Sequence, residues 1–437
     1  MERIQAVDWQ SLDDLIMETI FEFLPIRDRF NASLVCRRWA SCFDLPKVWR
    51  KVIIDGHWLT KTVCNDEDKV RCSDRVLDYE RALNCLQRIG PHIRSVNICQ
   101  LQDFVSLYQL FVLFESYFVK MQNSSPNIRQ FAFNFPCDQP LEINPNGIKL
   151  FGIGGQVIGS FRKLLPKMQK LCQLELVDLV LERYEANKLL DQMSISLSHS
   201  LKLLSAVNLT NFHCPLQQIA MMSNLEILKL SPQNIDDSML HLIVESNLKH
   251  LHIVQNENTP KTVMPCSAKA WTHFKQHASE HLQVHLEAIS KYTNGCDLLI
   301  QPEAPVHSIT CKNAKRGVIN KIIGNYGSSV VIYSDQSSTL GDIDLIEIVS
   351  GCNHLSTLKI LRPITTAALL VLAAMSENLQ EISLNKSSAI VKHDDWIKEF
   401  CLNNGLDHAS IQENCVSLNS VEHVISKQFS KPWRFLI

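Results

Sequence analysis

One pattern of apolar and polar positions recurs along most of the chain: apolar-x-x-apolar-x-apolar. It appears as Ile93-Val96-Ile98, Ile128-Phe131-Phe133, Leu171-Leu174-Leu176, Leu204-Val207-Leu209, Leu225-Leu228-Leu230 and Leu248-Leu251-Ile253. A less clean copy surrounds Leu282-Val284-Leu286, and Val306-Ile309-Cys311, Ser328-Val331-Tyr333, Leu355-Leu358-Ile360 and Leu379-Ile382-Leu384 complete the series. Strict alternation over the last three positions predicts short strands. Between them, Asp236–Glu245, Ala268–Ala278, Asp342–Cys352, Thr365–Asn378 and Asp394–Asn404 have helical spacing. Strand, turn and helix, repeated, predict a parallel sheet with helices outside it. The pattern centres step by 21 to 43 residues, and the longest steps imply insertions around 100–125 and 136–168. An ordinary α/β domain with alternating elements is the competing architecture.

The first fifty residues follow a different rule. Asp13 or Asp14 can cap a helix carrying Ile16, Ile20, Phe23 and Leu24, and Pro25 ends it. A second helix is expected near Asp28, carrying Phe30, Leu34 and Val35, and a third short element holds Trp39 and Phe43 before Pro46. Three helices in so few residues bury little surface, so such a unit completes its core against something else.

Leu12, Ile20, Phe21, Leu24, Pro25, Asp28, Arg29, Ser33, Val35, Cys36, Arg37, Trp39, Pro46 and Trp49 follow the order and spacing of the F-box family, which this segment resembles. Leu34-Val35-Cys36-Arg37-Arg38-Trp39, with Trp49 ten residues on, is the most specific part. The resemblance implies docking on a Skp-type adaptor and, through it, on a cullin and a RING subunit of a ubiquitin ligase. Its docking face would be formed or supported by Leu12, Ile16, Ile20, Phe21, Leu24, Pro25, Leu34, Val35, Cys36, Trp39 and Trp49. Asp13 stands where the family usually has proline, which implies somewhat weaker adaptor binding. The array behind it resembles the leucine-rich repeats that often follow F-boxes, with the expected Asn or Cys after the third apolar position only at Asn256. The expected organisation is an all-α three-helix F-box at 1–52, a helical connector at 53–90, an α/β leucine-rich-repeat solenoid with a parallel concave sheet at 91–404, and a cap at 405–437. Lys431–Phe435 could serve instead as a docking tail.

Composition narrows the classes. Apolar residues at 46% and charged residues at 20% exclude wholesale disorder. A net charge of −2 leaves no basic excess for a protein that holds nucleic acid by its phosphates. Fifteen cysteines without a single C-x-x-C point to reduced, packed thiols in the cytosol or nucleus. The N-terminus lacks a basic and apolar leader. Phe104–Val119, interrupted by Gln109 and Glu115, and the twelve-residue Ile364–Met375 both fall short of a membrane span. Neither a nucleic acid nor a membrane is expected as a partner.

Candidate chemistry is sparse. Glycines at 152, 154, 155 and 159 precede an expected helix at Ser160–Leu171, but their spacing is not that of a dinucleotide site. His273, His277, His281 and His285 recur every four residues, yet His285 belongs to an alternating strand and no H-E-x-x-H completes a metal site. No nucleophile motif is found. No catalytic residue, metal or cofactor is therefore expected, and any ubiquitin transfer falls to partners. On each strand the residue between the second and third apolar positions should face the concave surface: Asn97, Ala132, Glu175, Asn208, Lys229, His252, His285, Thr310, Lys359 and Ser383. One step back lie Gln173, Ile227, His250, Ser308, Thr357 and Glu381. Glu175, Asn208, Lys229, His252, Thr310, Lys359 and Ser383 are the candidate substrate contacts. This face carries no arginine cluster for a phosphorylated ligand, so a folded protein surface or an unmodified peptide is expected, with the loops after each strand as the competing site. The alternative is a scaffold that binds the adaptor without promoting ubiquitination.

Overall fold

The computed structural model describes residues 12–55, 60–62, 75–99, 104–120, 126–135, 155–260, 263–290, 299–337, 340–376 and 378–436. The chain divides into two compact units, Met1–Glu226 and Ile227–Ile437.

In the first unit, helices Asp14–Phe23, Ile26–Ser33 and Arg37–Cys42 are followed by a 3-10 turn, Pro46–Trp49. Asp13 caps the first helix by accepting from the Leu15 amide at 2.8 Å, as its position predicts. Of the apolar positions of that helix, Ile16 and Phe23 are exposed, while Met17 and Phe21 are buried. The second helix begins at Ile26, directly after Pro25, which fits proline's preset φ at a helix start.

What ties these helices together is a buried cation. The Arg29 guanidinium donates to the carbonyls of Leu24 at 2.8 Å, Glu22 at 2.9 Å and Val48, and lies 5.4 Å from the centre of the Trp49 ring. It thereby satisfies carbonyls at the end of the first helix that helix geometry leaves unpaired. Trp49 donates to the Phe43 carbonyl and meets that ring edge-on at 4.9 Å.

The chain passes from Trp49 straight into strand Lys51–Ile54, which pairs in parallel with Ser95–Ile98. The boundary expected at 52 thus falls inside the first strand of the sheet. The next strands, Gln130–Asn134, Gln173–Val177 and Leu203–Ala206, add in chain order, all parallel. Helices Tyr79–Ile89, Phe104–Lys120, Gln156–Leu164 and Arg183–Leu197 intervene. Alternation along each strand explains the layering: Val96, Phe131, Leu174 and Leu204 are buried on the helix side, where Phe111, Phe131, Phe133 and Phe161 form an aromatic core. Asn65–Lys69 and Phe151–Gly154 lie outside the described residues. The helix after the glycine run starts earlier than expected, at Gln156, and gives way to a 3-10 turn at Leu165–Lys167.

The second unit repeats the plan. Strands Ile227–Leu230, His250–Gln255, Gln283–Ala288, Val306–Cys311, Ile332–Asp335, Thr357–Ile360 and Glu381–Leu384 are consecutive and parallel. Helices Asp237–Val244, Ala268–His277, Arg316–Tyr326, Asp342–Gly351, Thr366–Met375 and Trp396–Asn404 alternate with them or follow. Thr366–Met375 is nearly all buried, which explains its continuous apolar run. Helices His408–Asn414 and Leu418–Gln428 come next, and the chain then returns to the last strand. The Leu436 amide donates to the Leu384 carbonyl at 2.9 Å, and the buried Trp433 indole donates to the Ile382 carbonyl at 2.6 Å. This segment covers an edge that would otherwise expose unpaired backbone groups.

Among the described residues no helix is long and apolar enough to cross a membrane. The eleven cysteines among them form no disulfide, and burial pushes several up, Cys352 to about 11.

Strand pairing corrects two alignments. Leu204, not Val207, stands opposite Leu174. Tyr333, not Val331, stands opposite Leu358. In both places a second reading of the same pattern exists, Leu201-Leu204-Ala206 and Val330-Tyr333-Asp335, and backbone pairing selects it.

Candidate functional site

The candidate contacts lie on two surfaces, one on the N-terminal helices and one on the sheet face opposite the repeat helices.

On the N-terminal helices the residues of the family pattern separate into two groups. Phe21 and Trp49 are inside, and Trp39, half-buried, meets Phe21 edge-on at 6.1 Å. Leu12, Ile20, Leu24 and Cys36 are half-buried, and the Cys36 sulfur accepts from the Trp39 amide at 3.4 Å to start the third helix. Phe21 and Trp49 can therefore support a docking face but not form it. Leu34 and Val35 are 69% and 65% exposed, in the turn between the second and third helices, and Ile16 and Pro25 are also exposed. Leu15 at 72% and Phe23 at 83% extend the exposed apolar set and were missed by sequence reasoning. The signal for them was present: four large apolar residues among 15, 16, 20 and 23 exceed what one buried helix stripe can hold. Charged groups frame the set. Lys47 approaches Glu22 at 3.6 Å, and Arg38 donates to the Leu12 carbonyl and to Asp14 at 3.3 Å.

On the open sheet face the expected row splits. In the first unit Glu175 lies beside Ala132 and Ser205, with Asn97 beyond Ala132. Asn208 is not on this face. It is 0% exposed, sits in the turn after strand Leu203–Ala206 with a φ of 49°, and donates to the Asp178 carboxylate at 2.7 Å. In the second unit the register slips between Val284 and His285, so His285 pairs with Ser308 while Glu287 pairs with Thr310. Lys229, His252 and His285 are then neighbours in one row that continues through Ser308, Ile332, Thr357 and Glu381. Thr310, Lys359 and Ser383 belong to the next row, with Glu287 and Ser334. A bulge of this kind re-aims side chains, and here the extra residue is His307.

The slip assembles a group of histidines. His285 contacts His250 (Nε2 to Nδ1, 3.1 Å) and the Ser308 hydroxyl (2.6 Å), its ring stacks on His252 at 4.3 Å, and His307 stands edge-on at 5.8 Å. His252 Nδ1 donates to Glu287 at 2.6 Å. Burial, and then the neighbouring His252, His250 and His307, push the His285 imidazole down to about 3. His250 is lowered by burial and by His252 and Lys249, and His307 by burial and His250. Burial opposes the Glu287 charge, but the hydrogen bond from His252 together with the nearby His252, Lys229 and His285 outweighs it and holds the carboxylate below its ordinary value. His273 and His277 lie elsewhere, stacked at 4.2 Å on helix Ala268–His277. Among the described residues no group of three or more His, Cys, Asp or Glu is arranged to hold a metal ion.

A folded-state value below the unfolded one gives stability that is full above about pH 6.5 and declines as pH falls toward about 3. From pH 7 to pH 5, His285 alone should cost the folded chain about 2 kcal/mol. Urea unfolding of the full chain at both pH values checks this. His285→Gln should flatten the dependence, and an equally steep loss in that variant would refute the assignment.

Residues 9–51 match the F-box domain. The chain thus carries an N-terminal F-box ahead of strand–helix units of leucine-rich-repeat type. Over 49 residues it is 45% identical to F-box/LRR-repeat protein 21 of Ovis aries, covering 11% of this chain and 11% of that protein. Over 41 residues it is 46% identical to F-box/LRR-repeat protein 12 of Mus musculus, covering 9% and 13%. The chain thus matches only about a tenth of the length of these curated relatives. Among solved structures, the crystal structure of the yeast Rad7 and Elc1 complex aligns over 87% of this chain and 90% of that chain, at 13% identity and a TM-score of 0.40.

Proposed function

We propose that the chain is a substrate-recognition component of an SCF-type ubiquitin ligase. In this reading the F-box at 1–52 docks a Skp-type adaptor and, through it, a cullin and a RING subunit. Residues 53–90 connect, 91–404 bind a protein substrate on the open sheet face, and 405–437 cap the array. The F-box match over residues 9–51 carries this reading. The direct run from Trp49 into strand Lys51–Ile54 supports it further, since a short, hydrogen-bonded joint holds the adaptor and the sheet of the first unit at a fixed spacing. The mechanism is proximity: holding target lysines near a charged conjugating enzyme raises effective concentration, and the chain contributes no catalytic group of its own.

Full-length chain expressed in cells should bring down both adaptor and cullin, and a cullin-neddylation inhibitor should stabilise at least one co-purifying protein. Adaptor without cullin would replace this reading with that of an adaptor-bound scaffold. A well-folded chain that binds neither would overturn it.

A further inference from the structure

The histidine group of the second unit is built so that it holds few protons unaided. The contact between His250 Nδ1 and His285 Nε2 at 3.1 Å needs one nitrogen to donate and the other to accept. Protonating both rings makes both nitrogens donors and breaks it. The His252 ring stacked at 4.3 Å adds a like charge, as does His307 at 5.8 Å. The charged and titratable groups facing His285 come from each element around it. The preceding strand supplies His250 and His252 with Lys249 at its start, the following strand supplies His307, and its own strand supplies Glu287. Lys229 lies one strand beyond His252 and acts on Glu287. Glu287 is the sole carboxylate among these groups and already accepts from His252, so it can balance one added charge and no more. As the solution is acidified, further protons leave the face with cationic imidazoles whose mutual hydrogen bond is lost. A carboxylate presented from outside supplies the acceptors they lack.

We propose that His250, His252, His285 and His307 form a proton-gated docking site for an acidic segment of a protein partner on the open sheet face. Without a ligand the His250–His285 pair is internally satisfied and resists protonation, and a carboxylate presented from outside draws protons onto it. Binding takes up protons, because a bound carboxylate favours the imidazolium form. This inference rests on the proposed use of the open sheet face for targets. It does not involve the adaptor surface.

The test uses full-length chain, without adaptor, and a fluorescent poly-glutamate peptide of roughly ten residues, with anisotropy read at about pH 7.5 and about pH 6. The affinity should rise at least about tenfold on acidification. In His250→Gln/His307→Gln the rise should shrink to within about twofold, while His273→Gln/His277→Gln, on the helix, should keep it. A pH-independent affinity overturns the site. So does an equally steep rise in the first variant, which would mean attraction by net charge alone. Should that variant misfold, the histidine ring resonances of the wild-type chain decide the matter: bound peptide must raise the midpoints of the cluster, and unchanged midpoints refute it. Because no adaptor is present, failure here leaves adaptor docking standing, and failed adaptor capture leaves this result standing.

Discussion

Leu34→Asp/Val35→Asp is expected to weaken capture of a Skp-type adaptor at least about 100-fold, roughly 3 kcal/mol, while leaving the unfolding temperature of the chain unchanged. Both side chains are exposed, so the substitution removes nothing from the core of the F-box helices. In an interface core the same carboxylates would be desolvated without partners, which is among the costliest changes a docking surface can undergo. Trp39 and Trp49 make poorer tests. Trp39 packs on Phe21, and Trp49 is buried against Phe43 beneath Arg29, so truncating either loosens the helices themselves. Titration of purified adaptor against wild type and variant separates the two effects. Unchanged affinity in a well-folded variant would remove the turn after the second helix from the docking face.

The second large effect concerns a buried ion pair. Asp335, 0% exposed, accepts from the Arg362 guanidinium at 2.6 Å, and Arg362 also reaches Asp342 at 2.8 Å and the carbonyls of Pro363 and Gly341 at 2.9 and 3.1 Å. Burial works against the Arg362 charge, but the two carboxylates outweigh it and hold the guanidinium above its ordinary value. Asp335→Ala leaves that cation short of a partner inside the unit and should cost about 3–5 kcal/mol in urea unfolding. Asp335→Leu/Arg362→Met should recover most of the loss, because an apolar pair of similar volume carries no desolvation penalty. A double variant no more stable than Asp335→Ala would show that the pair contributes more than mutual neutralisation.

That ion pair also explains a limit of reading the chain by pattern. Asp335 occupies the third apolar position of its repeat, opposite Ile360 and Cys311. A carboxylate there hides the true frame and favours the displaced Ser328-Val331-Tyr333. Only the arrival of Arg362, 27 residues away, makes a charge tolerable at that position. Asn208 went astray differently. Two overlapping frames are equally apolar around Leu204, and the choice rests on hydrogen bonds from Lys202 and Leu203 to the Cys172 carbonyl. The histidine group could not be foreseen from spacing, because the row is set by a register slip between two strands.

Local chemistry determined much of the molecule. The cap at Asp13, the stop at Pro25, the F-box string and the strand–helix alternation all follow from residues within a few positions of one another, where side-chain spacing and backbone preference act without help. The helices expected from 236 to 404 lie within one to three residues of those observed. Which apolar side chains of the first helix turn inward, which frame of a doubled pattern pairs, and which polar groups meet across strands are another matter. Each depends on groups brought together from distant parts of the chain, and burial and backbone pairing decide among options that are locally equal in energy. The tertiary structure alone turned Met17 and Phe21 inward, left Leu34 and Val35 facing solvent, buried Asn208, and set His285 among three other imidazoles.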